Sequence, residues 1–165
     1  MTIKLHQKKY ENVLLYLCQK LGGEVRGKKK LAKLLYFVDF DFYEKNQKSI
    51  TGDVYKALPM GPFPVSLDDI TLKLLKSKAI SINQDIEHEG YNPTEVYKFI
   101  MKPDMSVFDT SEVKMLDRVL LRYGHLTGKQ LEELSHAEAP YASAEAYKEI
   151  PYEFSYYRGT DFSDL

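Results

Sequence analysis

The sequence predicts an α+β fold, a helical core carrying a small antiparallel sheet, in one domain over residues 1–165. Three observations predict it. Apolar residues recur at three- and four-residue spacing in several separate segments, the period of a helix face. Two segments, around Ile80–Ile86 and Tyr97–Met101, instead alternate with the two-residue period of strands. Between the first helices and these strands lies Leu34-Leu35-Tyr36-Phe37-Val38-Asp39-Phe40-Asp41-Phe42-Tyr43, in which eight of ten residues are apolar or aromatic. A helix that greasy all round must be sheathed by other elements or by a partner.

Taken in order, Tyr10, Val13, Leu14, Leu17, Cys18 and Leu21 mark a first helix, stopped by Gly22-Gly23, because glycine readily takes the left-handed turn that ends a helix. A second runs from about Lys28 to Lys45. One of its stripes is Leu31, Leu34, Leu35, Val38 and Phe42; the other is Ala32, Tyr36, Phe40 and Tyr43. Two stripes mean packing on two sides, which makes this the central helix. Val54 to Leu58 reads as a short strand, cut off by Pro59 and by Gly61-Pro62-Phe63-Pro64. Ser66 and Asp69 have capping-box spacing ahead of a helix from about Leu67 to Lys76. Ile80, Ile82 and Ile86 then share one strand face, and Tyr97, Phe99 and Met101 another. The polar connection from Glu87 to Pro93 makes the pair an antiparallel hairpin.

The last third returns to helix. Asp109 with Glu112, and Thr127 with Gln130, repeat the capping-box spacing ahead of apolar periodic runs, and Gly124 separates them. Pro140 opens a short helical turn around Tyr141 to Tyr147. The tail from Ile150 to Leu165 holds Tyr152, Phe154, Tyr156, Tyr157 and Phe162, too apolar to stay solvated, so it is expected to dock on the body.

Composition bounds the function. A chain of 165 residues can bury roughly 70% of its unfolded surface without disulfides or metal. The net charge of −1 offers no general attraction to nucleic acid or to an anionic membrane. The single cysteine, Cys18, reads as a core residue in a reducing compartment. No apolar stretch approaches the roughly 20 residues of a membrane span, and the N-terminus lacks the pattern of a secretory signal. A cytoplasmic protein is expected.

Catalytic chemistry finds little support. His6, His88, His125 and His136 lie far apart, none at metal-ligand spacing, so no metal or cofactor is expected. His136, closing a helix in Ser135-His136-Ala137-Glu138-Ala139-Pro140, suits a structural or interface role, with its imidazole bonding terminal carbonyls. Asp39 and Asp41 are two residues apart and so point about 200° away from each other on a helix, too divergent for a carboxylate pair. Asp41 can pair with Lys45. Asp39 is expected to hydrogen-bond a neighbouring element, with a partner-facing role as the alternative, because an unpaired buried carboxylate is costly. Arg26, Lys28, Lys29, Lys30 and Lys33 offer a phosphate patch or, more plainly, a solvated helix start.

Gly61-Pro62-Phe63-Pro64 carries two readings. Its prolines fix two backbone angles and deny two donors. It is a stiff connection from strand to helix, a rigid apolar anchor for recognition presenting Phe63, or both.

At these residues the chain resembles the Panacea domain family, the SocA-like antitoxin domains. The matching features are Lys33-Leu34-Leu35-Tyr36-Phe37, then Ile50-Thr51-Gly52 with Tyr55 and Ala57, then Gly61-Pro62-Phe63-Pro64. Leu131 through Leu134, His136 and Pro140 follow the family's closing Leu-x-x-x-(Ser/Thr)-His-x-x-x-Pro pattern. Phe63 departs from the smaller aliphatic residue common there. The resemblance implies a bacterial or phage antitoxin, not an enzyme, that neutralises a protein toxin encoded by an adjacent gene through direct binding. It also implies helices with a small sheet and, for some members, delivery of the toxin to a protease. A toxin-facing surface is expected from Gly61, Pro62 and Phe63, exposed residues of the central helix such as Tyr36 and Asp39, and His136, with part of the aromatic tail. The alternative is a DNA-binding regulator, in which the helix from Leu67 and the following hairpin imitate a winged helix. The acidic hairpin loop, with Asp85, Glu87 and Glu89, is a poor tool for touching phosphates.

Overall fold

A computed structural model describes residues 4–86 and 93–165. Six α-helices and five strands follow in the order α1 (Gln7–Lys20), β1 (Glu24–Arg26), α2 (Lys28–Asn46), β2 (Tyr55–Leu58), β3 (Gly61–Pro64), α3 (Leu67–Lys76), β4 (Ile80–Asp85), β5 (Thr94–Phe99), α4 (Thr110–Tyr123), α5 (Gly128–Ala137) and α6 (Ala139–Ala142). Short 3-10 turns occupy Met105–Val107 and Tyr152–Tyr157. The α+β architecture is the one the sequence predicts.

Helix α2 is the axis of the molecule. Every residue from Leu31 to Phe42 is buried, including the charged Lys33, Asp39 and Asp41. Helices α4 and α5, strand β3 and the C-terminal 3-10 segment all pack on it. The doubled apolar stripe is thereby covered on all sides. Phe37 stacks on Tyr123 of α4 with ring centroids 3.9 Å apart, and Phe40 lies 4.6 Å from Tyr152 of the tail.

Two small sheets flank this axis. In one, β5 lies between β1 and β4, antiparallel to both. The β4–β5 hairpin is as expected, with Ile80 and Ile82 opposite Phe99 and Tyr97. Ile86 falls beyond the strand and is exposed, and Met101 likewise. Residues 87–92, which hold His88 and the acids Glu87 and Glu89, lie outside the described residues. Strand β1 escapes the sequence reading because three residues are too short to show alternation.

The second sheet contains a correction. Gly61-Pro62-Phe63-Pro64 is not a connection after a strand but a strand itself, paired antiparallel with β2 in the register Tyr55↔Pro64 to Leu58↔Gly61. Proline is tolerated because β3 is an edge, so the missing N–H groups cost no ladder bonds. On the other side of β2 runs the 147–150 segment. Tyr147 donates to the Ala57 carbonyl, Ala57 to Lys148, and Ile150 to Tyr55, at 2.8 to 2.9 Å.

The capping boxes at Asp109/Glu112 and Thr127/Gln130 form with both reciprocal bonds. The one expected at Ser66/Asp69 does not. Ser66 is itself in the helical region, so its side chain cannot cap, and its N–H instead donates to the Asp53 carboxylate at 3.0 Å. The short turn predicted to reach Tyr147 ends at Ala142. In the tail, Tyr152 is buried, Phe154 and Phe162 pack against the core, and Tyr156 and Tyr157 stay exposed.

Candidate partner-binding surface

Three polar joints fasten the other elements to α2. The first is Asp39. Its carboxylate accepts from the N–H groups of Ile50 and Thr51, at 3.0 and 2.8 Å, and from the hydroxyls of Thr51 and Tyr55, at 2.5 and 2.6 Å. Burial pushes its pKa up to about 6 even against these four donors. The second is Lys33, whose side chain is 2% exposed and whose ammonium donates to the Pro62 carbonyl at 3.1 Å. Burial pulls this lysine down to about 8. The close fit explains Gly61: its φ is +110°, and a Cβ there would meet Lys33 Cε at 2.6 Å and Ser135 Oγ at 3.1 Å. Lys33, the Gly-Pro strand and the Ser135 end of α5 therefore meet at one place.

The third joint is Asp41. It takes no bond from Lys45. Its side chain points inward, where Arg158 Nη2 lies at 2.8 Å and Arg118 Nη1 at 3.3 Å. Arg158 also reaches Glu44 at 2.8 Å and Glu138 at 3.0 Å. Glu44 in turn accepts two bonds from Thr160. The tail is thus held to α2 by buried charge as well as by its aromatics. Asp39 and Asp41 do point apart, one toward the loop before β2 and the other toward α4 and the tail.

Several predicted site residues sit differently from expectation. As toxin-facing residues Tyr36 and Asp39 would need exposure, yet both are fully buried: Asp39 hydrogen-bonds the neighbouring loop and β2, as its first reading expects, and the Tyr36 hydroxyl donates to Glu138 at 2.7 Å. Gly61 and Pro62 are buried at the Lys33 joint, while Phe63 is half-buried, with the Lys28 ammonium 5.9 Å from its ring centroid. His136 bonds no helix carbonyl: its Nε2 is buried without a hydrogen-bond partner among the described residues, and its ring stacks on Tyr141 at 4.5 Å. Tyr141 extends the contact by donating to the Leu58 carbonyl at 2.7 Å.

The basic cluster disperses. Arg26 pairs with Asp85, Lys28 with Asp68 and Lys29 with Glu132; Lys30 donates to the Gly124 carbonyl, and Lys33 is the buried joint. No side chains remain gathered there for a phosphate.

The hairpin β2–β3 leaves Lys56 of β2 exposed together with apolar side chains. Met60, in its turn, is 57% exposed, and Tyr147, bonded to β2 through its N–H, is 61% exposed at φ +65°. Met60 adjoins Gly61 in the chain, Phe63 lies two residues on in β3, and the Tyr147 backbone is held by Ala57 of β2. Sequence reading missed Met60 and Tyr147. The Pro59-Met60-Gly61 turn was the available signal for the first; nothing local marks the second. Among the described residues no group of His, Cys, Asp and Glu is arranged to hold a metal. Clefts of about 300 and 380 Å³ flank Lys114 and Leu165, and none of the predicted site residues lines them. No described helix is long and apolar enough to cross a membrane.

Compared with known proteins, residues 31–141 match the family described as antitoxin SocA-like, Panacea domain. The matched range runs from the start of α2 to α6, so it contains all four motif segments and the three joints' α2 residues. The chain matches no curated protein and no solved structure.

Proposed function

This chain belongs to the SocA-like antitoxin family through its Panacea domain, and from that premise we propose that it neutralises a protein toxin by binding it directly. The toxin is the product of an adjacent gene, and the pair acts in the cytoplasm. The supporting observation is the contrast at the hairpin: the motif residues Lys33, Gly61 and Pro62 are buried fasteners, while Met60 in the turn and Tyr147 bonded to β2 are exposed, with the half-buried Phe63 between the two settings. Apolar and aromatic anchors that are already ordered lose little entropy on binding and make effective hot spots. The buried polar groups of Asp39, Lys33 and Asp41 are spent on structure, which supports action by shape.

Co-expression of the chain with the neighbouring gene product tests this. The product alone should arrest growth, and the chain should restore it. Met60→Asp and Tyr147→Asp should keep the far-ultraviolet spectrum and lose rescue. A product that is harmless alone, or variants that rescue as well as the parent, would refute the proposal.

A DNA-binding reading draws on one observation, that α3 precedes the β4–β5 hairpin in helix-then-wing order. Against it, the first turn of α3 carries Asp68 and Asp69, where a recognition helix would meet base edges. No retardation of the upstream promoter at low salt is expected. Delivery to a protease would appear as a shorter toxin half-life when this chain is present.

A further inference from the structure

The two sheets guard their edges unequally. Strand β3 carries Pro62 and Pro64, and its Pro62 carbonyl is taken by Lys33. Strand β1 has only three residues. Strand β4 has six, Ile80-Ser81-Ile82-Asn83-Gln84-Asp85, with no proline and no lysine, and among the described residues it pairs only with β5. A guardless edge of this length is a template for another strand.

The pairing pattern shows which groups are open. Ile100 donates to the Ala79 carbonyl at 2.8 Å, which makes Ala79 and Ile100 a hydrogen-bonded pair. By antiparallel alternation Ser81, Asn83 and Asp85 bond β5, and Ile80, Ile82 and Gln84 direct N–H and C=O outward. Those outward groups have no backbone partner among the described residues.

We propose that β4 pairs antiparallel with β4 of a second copy of this chain, about a two-fold axis at Ile82. The spacing of the open groups is self-complementary. With Ile82 opposite Ile82, Ile80 faces Gln84 of the other copy and Gln84 faces Ile80, so every outward donor meets an outward acceptor. Charge agrees. The strand begins beside Lys76, Lys78 and Lys98 and ends at Asp85, a half-exposed carboxylate in a surface pair with Arg26. Antiparallel pairing sets the cationic start of each strand against the acidic end of the other. Ile86, 68% exposed, comes opposite Lys78, whose N–H donates to the carbonyl of the exposed Leu75. Ile86 shares its strand face with Ile80 and Ile82, the face on which α3 packs.

Sedimentation of the full chain across a concentration series tests the proposal, and a monomer–dimer equilibrium is expected. Gln84→Pro removes one outward N–H from each copy and spares the β5 ladder, so the dissociation constant should rise about tenfold or more. Gln84→Ala should leave it nearly unchanged. In oxidising buffer Ile82→Cys should form a covalent dimer, because a directly opposed pair has Cα atoms about 5.5 Å apart, within disulfide reach. Asn83→Cys, which faces Ser81 of the other copy, should not. If Gln84→Pro loses its circular dichroism, the cysteine pair decides alone. A chain that stays monomeric throughout, a dimer indifferent to Gln84→Pro, or equal cross-linking at 82 and 83 overturns the proposal.

Discussion

Replacing Lys33 by methionine isolates what the central joint costs. The lysine is 2% exposed, and burial lowers its pKa from 10.5 to about 8. The folded state therefore binds its proton less tightly than the unfolded chain. Between pH 8 and 10.5 the unfolded state carries more of that proton, so this group makes stability rise with pH. The full difference corresponds to about 3 kcal/mol of destabilisation at neutral pH relative to an uncharged side chain. By pH 9 it has shrunk to about 2 kcal/mol, a gain of about 1 kcal/mol over neutrality. Stopping at pH 9 limits the opposing loss from Cys18, whose thiol burial holds at about 12, so that its contribution falls mainly above its ordinary 9.0. Lys33→Met removes the charge penalty and also the bond to the Pro62 carbonyl, a loss of about 1–3 kcal/mol if that oxygen stays dry. The variant should thus be as stable as the parent at neutral pH, or more stable by up to about 2 kcal/mol, and should lack the rise to pH 9. Urea unfolding of both proteins at the two pH values measures this. An identical pH slope in both proteins, or a variant weakened by more than about 2 kcal/mol, would refute the account of the joint.

Three further outcomes follow from the same contacts. Asp39→Ala strands four donors in the core and should cost about 3–5 kcal/mol in urea unfolding, with Asp39→Asn clearly milder; equal losses would contradict the cage. Gly61→Ala imposes a side chain at φ +110° against Lys33 and should cost about 1–3 kcal/mol, more than Gly159→Ala, where nothing lies within 4 Å; similar losses at both sites would count against close approach as the cause. Arg158→Met leaves Asp41, Glu44 and Glu138 short of their shared cation, so amide exchange across 152–165 should speed up well before global unfolding. Unchanged exchange there would show that the aromatics alone hold the tail.

Much of the fold was legible because it rests on periodicity and local bonding. Helix α3 begins and ends where Leu67 and Lys76 suggest, and two capping boxes form as spaced, since a box is completed by residues three apart. The failures have a common origin. Ser66 has the right spacing but donates its N–H to Asp53, thirteen residues earlier. Asp41 ignores Lys45, one turn away, for arginines 77 and 117 residues along the chain. Strand β3 hid behind its prolines, because a strand at an edge does not need the donors that prolines lack. The candidate surface was harder still. Its motif residues were visible, but Tyr36, Asp39, Gly61 and Pro62 turned out to be the fasteners, and the exposed Met60 and Tyr147 lie beside them.

The amino-acid order by itself determined that this chain would be helical around one very apolar helix, with a hairpin to the side, and that it belonged with the antitoxin-like domains. It did so because helix period, strand alternation, caps and motif order are all properties of neighbours in the chain. Only the tertiary structure decided which charged residues would be swallowed, which partner each would take, and which side chains would be left facing water. Those outcomes depend on groups brought together from distant positions. A carboxylate or an ammonium on a crowded helix can be buried only where packing delivers its counterpart.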